Sequence, residues 1–324
     1  MGLCSGGLDS ILSALVLRDQ GIEVHWVTFE TPFFSAGKAR EASRMTGVPL
    51  RVERITEVYL SMLRNPRLGY GKNMNPCPDC HALMFQLAGR IMEEEGYDFL
   101  FSGEVLAQRP MSQNRPALGY VVKHSGYAGR ILRPLCAKRL PPTEPELAGL
   151  VDRERLLDLA GRSRKPQMAL AERYGITSYP TPAGGCLLTD AGFSRRLADL
   201  FAHETERPFT ERDLDLLKYG RHLRLSPTVK AVVGRQEAEN ARIEELFDPA
   251  ADVLVGLAPL PGPRVLVPYG APPELLEKAA GLCLFYASKK IQGPVPARLT
   301  GPGGLSRTLL VKALERSEVE SLIL

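Results

Sequence analysis

The stretch SGGLDS, Ser5 to Ser10, follows a short apolar opening, Met1 to Cys4. It runs straight into Ile11-Leu12-Ser13-Ala14-Leu15-Val16-Leu17, where apolar residues recur at helical spacing. A strand, a glycine turn and a helix in that order predict a loop whose backbone N–H groups turn inward. The start of the helix adds partial positive charge there, which suits a bound phosphate. Ser5 and Ser10 offer hydroxyl donors to phosphate oxygens, and Gly6 and Gly7 allow the sharp turn. The lysine of the G-x-x-x-x-G-K-[ST] pattern is absent, which argues against transfer of a γ-phosphate of the Walker kind. Asp9 is suited to helping hold a magnesium ion on a polyphosphate. The opening strand has only Met1 to Cys4 in which to form, against about five or six residues for a typical strand. Either the start of the chain has been trimmed or the strand is very short.

Outward from this loop the pattern continues as strand and helix in alternation. GIEVHWVTFE (21–30) reads as a strand, and SAGKAREASRMTGVPL (35–50) as a helix ended by Gly47 and Pro49. RVERI (51–55) reads as a short strand, HALMFQLAGRIMEEEGY (81–97) as an amphipathic helix and DFLFSGE (98–104) as a buried strand entering a glycine turn. Such alternation predicts a parallel sheet covered by helices on both faces, ending near residue 135. The proline-rich RPLCAKRLPPTEPELAG (133–149) reads as a connector. Three regions follow: a phosphate-loop α/β domain at 1–135, a connector and helical region at 136–225, and a small α/β domain at 226–324. In the last, TVKAVVG, ADVLVGL and PRVLVPY read as strands and PELLEKAAGLCLFYASKK as one helix.

Composition narrows the class without deciding it. The 324 residues are 44% hydrophobic and 24% charged, ordinary for a globular chain. A net charge of +4, from 41 basic against 37 acidic residues, is too mild to argue for nucleic acid. Basic residues cluster at AGRSRKPQ (160–167), FSRRL (193–197), YGRHLRL (219–225) and YASKK (286–290), each readable as a contact patch or as a solvated face. No apolar run reaches the roughly 18 residues of a membrane span, and no signal peptide is expected. A cytoplasmic setting without membrane contact is the expectation.

NPCPDCH, Asn75 to His81, carries two cysteines at C-x-x-C spacing, half of a usual metal site. The remaining cysteines, Cys4, Cys136, Cys186 and Cys283, stand alone. Six in 324 residues make no disulfide scaffold. A redox pair at a helix start is the competing reading, since the helix dipole lowers a thiol's pKa. Cys4 and Cys283 read as packing residues, and Cys136 is left unassigned.

With its strand before and helix after, SGGLDS resembles the S-G-G-x-D-S motif of the PP-loop ATP pyrophosphatases. Those enzymes cleave ATP between its α- and β-phosphates to adenylate a carbonyl oxygen. The resemblance implies a parallel-sheet PP-loop fold, adenine nucleotide alpha hydrolase-like. SGEVLAQRPMSQ (102–113) resembles the T-G-E-x-L-G-Q-x-x-S-Q segment of tRNA 4-thiouridine synthetases, with Ala107 at a glycine position, and ILRPL (131–135) follows as in that family. The resemblance implies that Ser5, Gly6, Gly7, Asp9, Ser10, Phe29, Gly103 and Gln108 bind ATP, with Mg2+. It also implies that Cys77 and Cys80 are joined by the distant Cys186 of PTPAGGCLLTD (180–190), from the next region of the chain. Three thiolates suit a [4Fe–4S] cluster with one open iron, zinc or a persulfide without metal being alternatives. Asp9, Cys80 and Cys186 are then the catalytic residues, tRNA the substrate, and sulfide or a persulfide-carrying protein the sulfur donor.

Residues 230–290 resemble the RNA-binding domain of the NFACT ribosome quality-control proteins, through VVGRQEAEN, LPGPRVLV and ELLEKAAGLCLFYASKK. Lys289, Lys290, Arg298 and Arg307 are candidates for phosphate contacts. The leading expectation is a tRNA sulfurtransferase. A PP-loop enzyme acting on a small molecule is the runner-up, and a non-enzymatic RNA-binding or iron–sulfur-sensing protein comes third.

Overall fold

In a computed structural model, described here for residues 1–180, 185–204, 208–258, 260–287 and 293–324, the chain forms two compact units, Met1–Thr189 and Asp190–Leu324. The first contains β1 (Gly2–Leu3), α1 (Leu8–Arg18), β2 (Trp26–Glu30), α2 (Gly37–Thr46), β3 (Leu50–Arg54), α3 (Thr56–Arg64) and α4 (Cys77–Glu95). It continues with β4 (Leu100–Ser102), α5 (Arg115–Ser125), β5 (Ile131–Leu132), α6 (Glu144–Leu147) and α7 (Lys165–Arg173). The sheet order is β3-β2-β1-β4-β5 and every pairing is parallel. As expected of a sheet covered on both faces, Trp26, Val27, Leu100, Phe101, Ile131 and Leu132 are buried.

The opening strand is two residues long. It holds its place because both neighbours pair with it: Gly2 aligns with Trp26 on one side and with Phe101 on the other. The chain turns to opposite sides of the sheet after β1 and after β4. That makes their carboxyl ends the switch point, where open α/β sheets bind ligands.

The second unit contains α8 (Ala191–Ala202), α9 (Glu211–Leu216), β6 (Arg221–Ser226), β7 (Val229–Val233), α10 (Glu237–Glu245), β8 (Val253–Leu257) and β9 (Val265–Val267). α11 (Pro273–Phe285), β10 (Val295–Gly301), β11 (Leu305–Val311) and α12 (Arg316–Leu322) complete it. Its antiparallel sheet runs β11-β10-β8-β9-β7-β6. The basic stretch 219–225 belongs to this sheet: Leu223 and Leu225 face its core, and Arg224 pairs with Asp199 on α8. Strict alternation in β10 buries Val295, Ala297 and Leu299 and leaves Arg298 exposed, as Arg307 is on β11. Lys289 and Lys290 lie outside the described residues. Residues 136–189 stay with the first unit and 190–225 with the second, so the expected middle region is divided between them.

Among the described residues no helix is long and apolar enough to cross a membrane.

Candidate active site

The loop from Cys4 to Asp9 is shaped by close approach. Gly6 has φ +70, and a Cβ on it would lie 2.2 Å from the backbone carbon of Lys38, so α2 sits directly against the turn. Gly7 is the N-cap of α1 and makes no side-chain cap, which leaves the first N–H groups of the helix for a ligand. Ser5 is exposed, and its hydroxyl accepts a bond from the Gly7 N–H at 3.3 Å. Ser10 is buried and its hydroxyl donates back to the Gly7 carbonyl at 2.8 Å, bracing the turn from inside. Phe29 is buried one residue before β2 ends. Gly103 follows β4, and a Cβ there would meet the Asp9 carbonyl carbon at 2.4 Å, so the two strand-end loops interlock.

Asp9 is held by a relay of amides. Gln108 Nε2 donates to Asp9 Oδ2 at 2.7 Å, and Gln167 Nε2 donates to Gln108 Oε1 at 2.9 Å. Gln167 lies on α7, which packs against α1, and Gly161 N–H bonds the Leu106 carbonyl at 2.8 Å. The stretch 160–167 therefore lies beside the phosphate loop. Burial pushes the Asp9 carboxyl up, while the Gln108 amide, the Arg164 and Arg109 cations and the Gln167 amide pull the other way. Asp9 Oδ1, Gln167 Oε1 and Arg164 Nε are buried and have no partner among the described residues. A buried, unpartnered carboxylate oxygen beside a phosphate loop fits a divalent cation. Arg109, Arg164 and Gln167 were not singled out from sequence; only their closeness to Asp9 in the fold marks them.

Glu104, next to Gly103, is a second anchor. Arg133 Nε donates to it at 2.8 Å, His81 Nδ1 lies at 2.9 Å, and the Ser102 hydroxyl donates at 3.2 Å. Burial opposes its charge, but Arg133 and His81 outweigh it and hold the carboxyl down at about 2. Cys136 donates its S–H to the Glu104 carbonyl at 3.3 Å, which gives that cysteine a structural place. Cys4 and Cys283 are buried, as expected.

The cysteines share one neighbourhood at the start of α4. Cys77 is its first residue, behind Pro76, which gives no side-chain cap, so unpaired N–H groups face this end. Asn75 Nδ2 donates to the Cys77 sulfur at 3.3 Å. Asp79 clamps the preceding loop by accepting from the Leu68 N–H at 3.0 Å and the Tyr120 hydroxyl at 2.5 Å. The distant strand of chain is stapled on both sides: Leu187 N–H bonds the Phe33 carbonyl at 2.9 Å, and Asn73 Nδ2 bonds the Thr189 carbonyl at 2.7 Å. Cys77, Cys80 and Cys186 are thereby close enough to interact electrostatically, and the buried Tyr59 hydroxyl donates to Cys80. All three belong to the first unit, so Cys186 does not come from a separate domain. Burial pushes the Cys80 thiol up to about 12 and Cys186 up to about 11. Among the described residues no three His, Cys, Asp or Glu side chains close around a single metal ion. Three thiols in one neighbourhood match a metal–sulfur group in donor kind and number, but among the described residues they form no preformed metal cage.

These features lie at the switch point of a parallel α/β sheet, where such folds hold their ligands. Residues 1–139 match the family model described as Thiamine biosynthesis protein (ThiI), and residues 220–323 match that of the NFACT protein RNA binding domain. The chain carries a PP-loop domain of the ThiI kind at its N-terminus and an NFACT RNA-binding-type domain at its C-terminus. No curated protein matches it. Among solved structures, the C-terminal part of the fibronectin/fibrinogen-binding protein from Streptococcus suis is 12% identical, over 76% of this chain and 94% of that one, at a TM-score of 0.29. A predicted subunit of tRNA methyltransferase from Methanocaldococcus jannaschii is 16% identical over 53% and 74%, at 0.34. NMN synthetase from Francisella tularensis is 10% identical over 56% and 88%, at 0.27. Likenesses this loose carry no functional argument.

Proposed function

We propose that the protein is a cytoplasmic ATP-dependent tRNA sulfurtransferase that replaces a uridine carbonyl oxygen with sulfur. The observation that carries this reading is the gathering of Cys77, Cys80 and Cys186 in the unit that holds the phosphate loop. A ligase without sulfur chemistry has no use for three thiols there.

The pyrophosphate of ATP lies against the turn Ser5–Gly7 and the uncapped N–H groups of α1, which stabilise charge as it develops on the leaving group. Asp9 Oδ1 would hold Mg2+, whose role is to neutralise phosphate charge, and Gln108 keeps that carboxylate in place. Arg164 and Arg109 add fixed positive charge beside it. The uridine oxygen attacks the α-phosphorus, pyrophosphate leaves, and the base is adenylated. Sulfide sulfur then attacks the same carbon and AMP departs with the oxygen. A [4Fe–4S] group on Cys77, Cys80 and Cys186 would supply that sulfur through its open iron. Asn75 and Tyr59 orient the first two of these sulfurs.

The test is tRNA-dependent release of AMP by wild type and by Asp9→Asn. The variant should fold normally and lose AMP formation by two orders of magnitude or more, on the order of one catalytic charge contact. Wild-type AMP release by the variant would refute the reading.

A further inference from the structure

In the second unit, the end of α11, the edge strand β6 and α12 line a half-open cavity of about 610 Å³. That is within the range of small-ligand sites, about 300–1,000 Å³. Its chemistry is uneven. Arg221, the first residue of β6, lays its guanidinium over the Tyr286 ring at 4.6 Å from the centroid. Phe285 meets Tyr286 edge-on, with centroids 4.9 Å apart and planes at 88°. Val319 is an apolar wall. At the mouth Arg316 and Glu320 lie 3.7 Å apart with side chains 81% and 63% exposed.

We propose that this cavity takes one unpaired RNA nucleotide, its base stacked on the Arg221–Tyr286 platform and its phosphate on Arg316. The inference rests on the RNA-binding reading of this unit and adds to it a site and a preference for single strands. A guanidinium lying over a ring makes a platform for a planar base, as single-stranded RNA is commonly held. Glu320 makes the mouth a poor place for a free polyphosphate but gives a base N–H an acceptor. A base paired in a duplex cannot enter. An acidic peptide would meet the Glu320 carboxylate in the lining.

The test uses the full chain and a heptanucleotide carrying one 5-iodouridine, cross-linked by light and mapped by mass spectrometry. The cross-link should fall on Phe285 or Tyr286 and be competed by single-stranded RNA but not by a blunt duplex. Arg221→Ala should weaken single-strand affinity about tenfold, as loss of one stacking contact does. Arg316→Gln should lower the slope of log affinity against log salt by about 1. Arg242→Ala removes equal charge from an exposed pair with Glu245 outside the cavity, and should change neither cross-link nor stacking. Cross-links confined to other residues, or Arg221→Ala binding single strands as wild type does, would overturn the pocket alone. Failure of the wild-type chain to bind any RNA would overturn the proposed function with it.

Discussion

Glu104→Gln removes one charge and almost no volume, and it tests whether the loop after β4 is fixed by ion pairing. The carboxylate is 7% exposed and its partner Arg133 is 4% exposed. Arg133 Nη2 has no partner among the described residues, so Arg133 Nε–H···Glu104 is the charge pairing of that buried cation. Removing one member of a buried pair costs about 3–5 kcal/mol, because the other charge stays buried and uncompensated. Glutamine still accepts one bond, which places the loss near the lower end, about 3 kcal/mol. The pH dependence has a definite sign. The folded carboxyl is held at about 2 against its ordinary 4.5. Its contribution is therefore complete above about pH 4.5 and is lost as pH falls through the window toward 2. Urea unfolding followed by fluorescence reads the right unit, since Trp26 is the chain's one tryptophan and lies buried in β2. The variant should lose about 3 kcal/mol at pH 7 and show a flatter decline in acid. A loss under about 0.5 kcal/mol at pH 7, or two acid limbs running in parallel, would refute the reasoning.

Further expectations follow from the same loops. Ala107 has φ 63, a left-handed conformation that costs a non-glycine residue about 1–2 kcal/mol. Ala107→Gly should therefore stabilise the first unit, by somewhat under 1 kcal/mol once the freer unfolded chain is counted; destabilisation in the same urea assay would contradict the conformation. Gly103→Ala drives a Cβ into the Asp9 backbone, so it should weaken ATP binding at least tenfold in calorimetry, while Gly119→Ala, at an open position on α5, should leave ATP affinity unchanged. Gln167→Leu breaks the relay at its far end and should raise the Mg2+ concentration needed for half-maximal ATP binding while leaving the fold intact by circular dichroism; an unchanged Mg2+ requirement would leave Gln167 a packing residue.

The phosphate loop was legible because everything that makes it is contiguous: strand, two glycines, and a helix whose apolar repeat begins at once. Cys186 was reachable only through resemblance, because its place depends on a backbone bond from Leu187 to Phe33 and an Asn73 side-chain bond to Thr189, both spanning more than 100 positions. The stretch 160–167 read equally well as solvated, since charge in a sequence carries no direction; it is the packing of α7 on α1 that turns Gln167 inward. β6 was hidden for a related reason. Arg224 turns to the opposite face and pairs with Asp199, Arg221 lies over Tyr286 at the rim of the core, and these charges dominate the composition, while the alternation that buries Leu223 and Leu225 spans a single short strand. α3 and α5 went unread, and the division of residues 136–225 between two units follows from contacts that no local pattern encodes.

The central claim is that ATP cleavage serves sulfur transfer to tRNA, and the nucleosides of the tRNA decide it. Full-length protein, prepared and reconstituted with iron and sulfide without oxygen, would be incubated with unmodified tRNA, ATP, Mg2+ and sulfide, then the digested tRNA read by mass spectrometry alongside AMP. The account predicts thiouridine and AMP in equal amounts, with Cys77→Ala, Cys80→Ala and Cys186→Ala each losing thiouridine and bound iron together while Cys283→Ala keeps both. Full thiolation by iron-free protein would contradict the metal–sulfur site, and AMP formed with no sulfur in the tRNA would contradict the function itself.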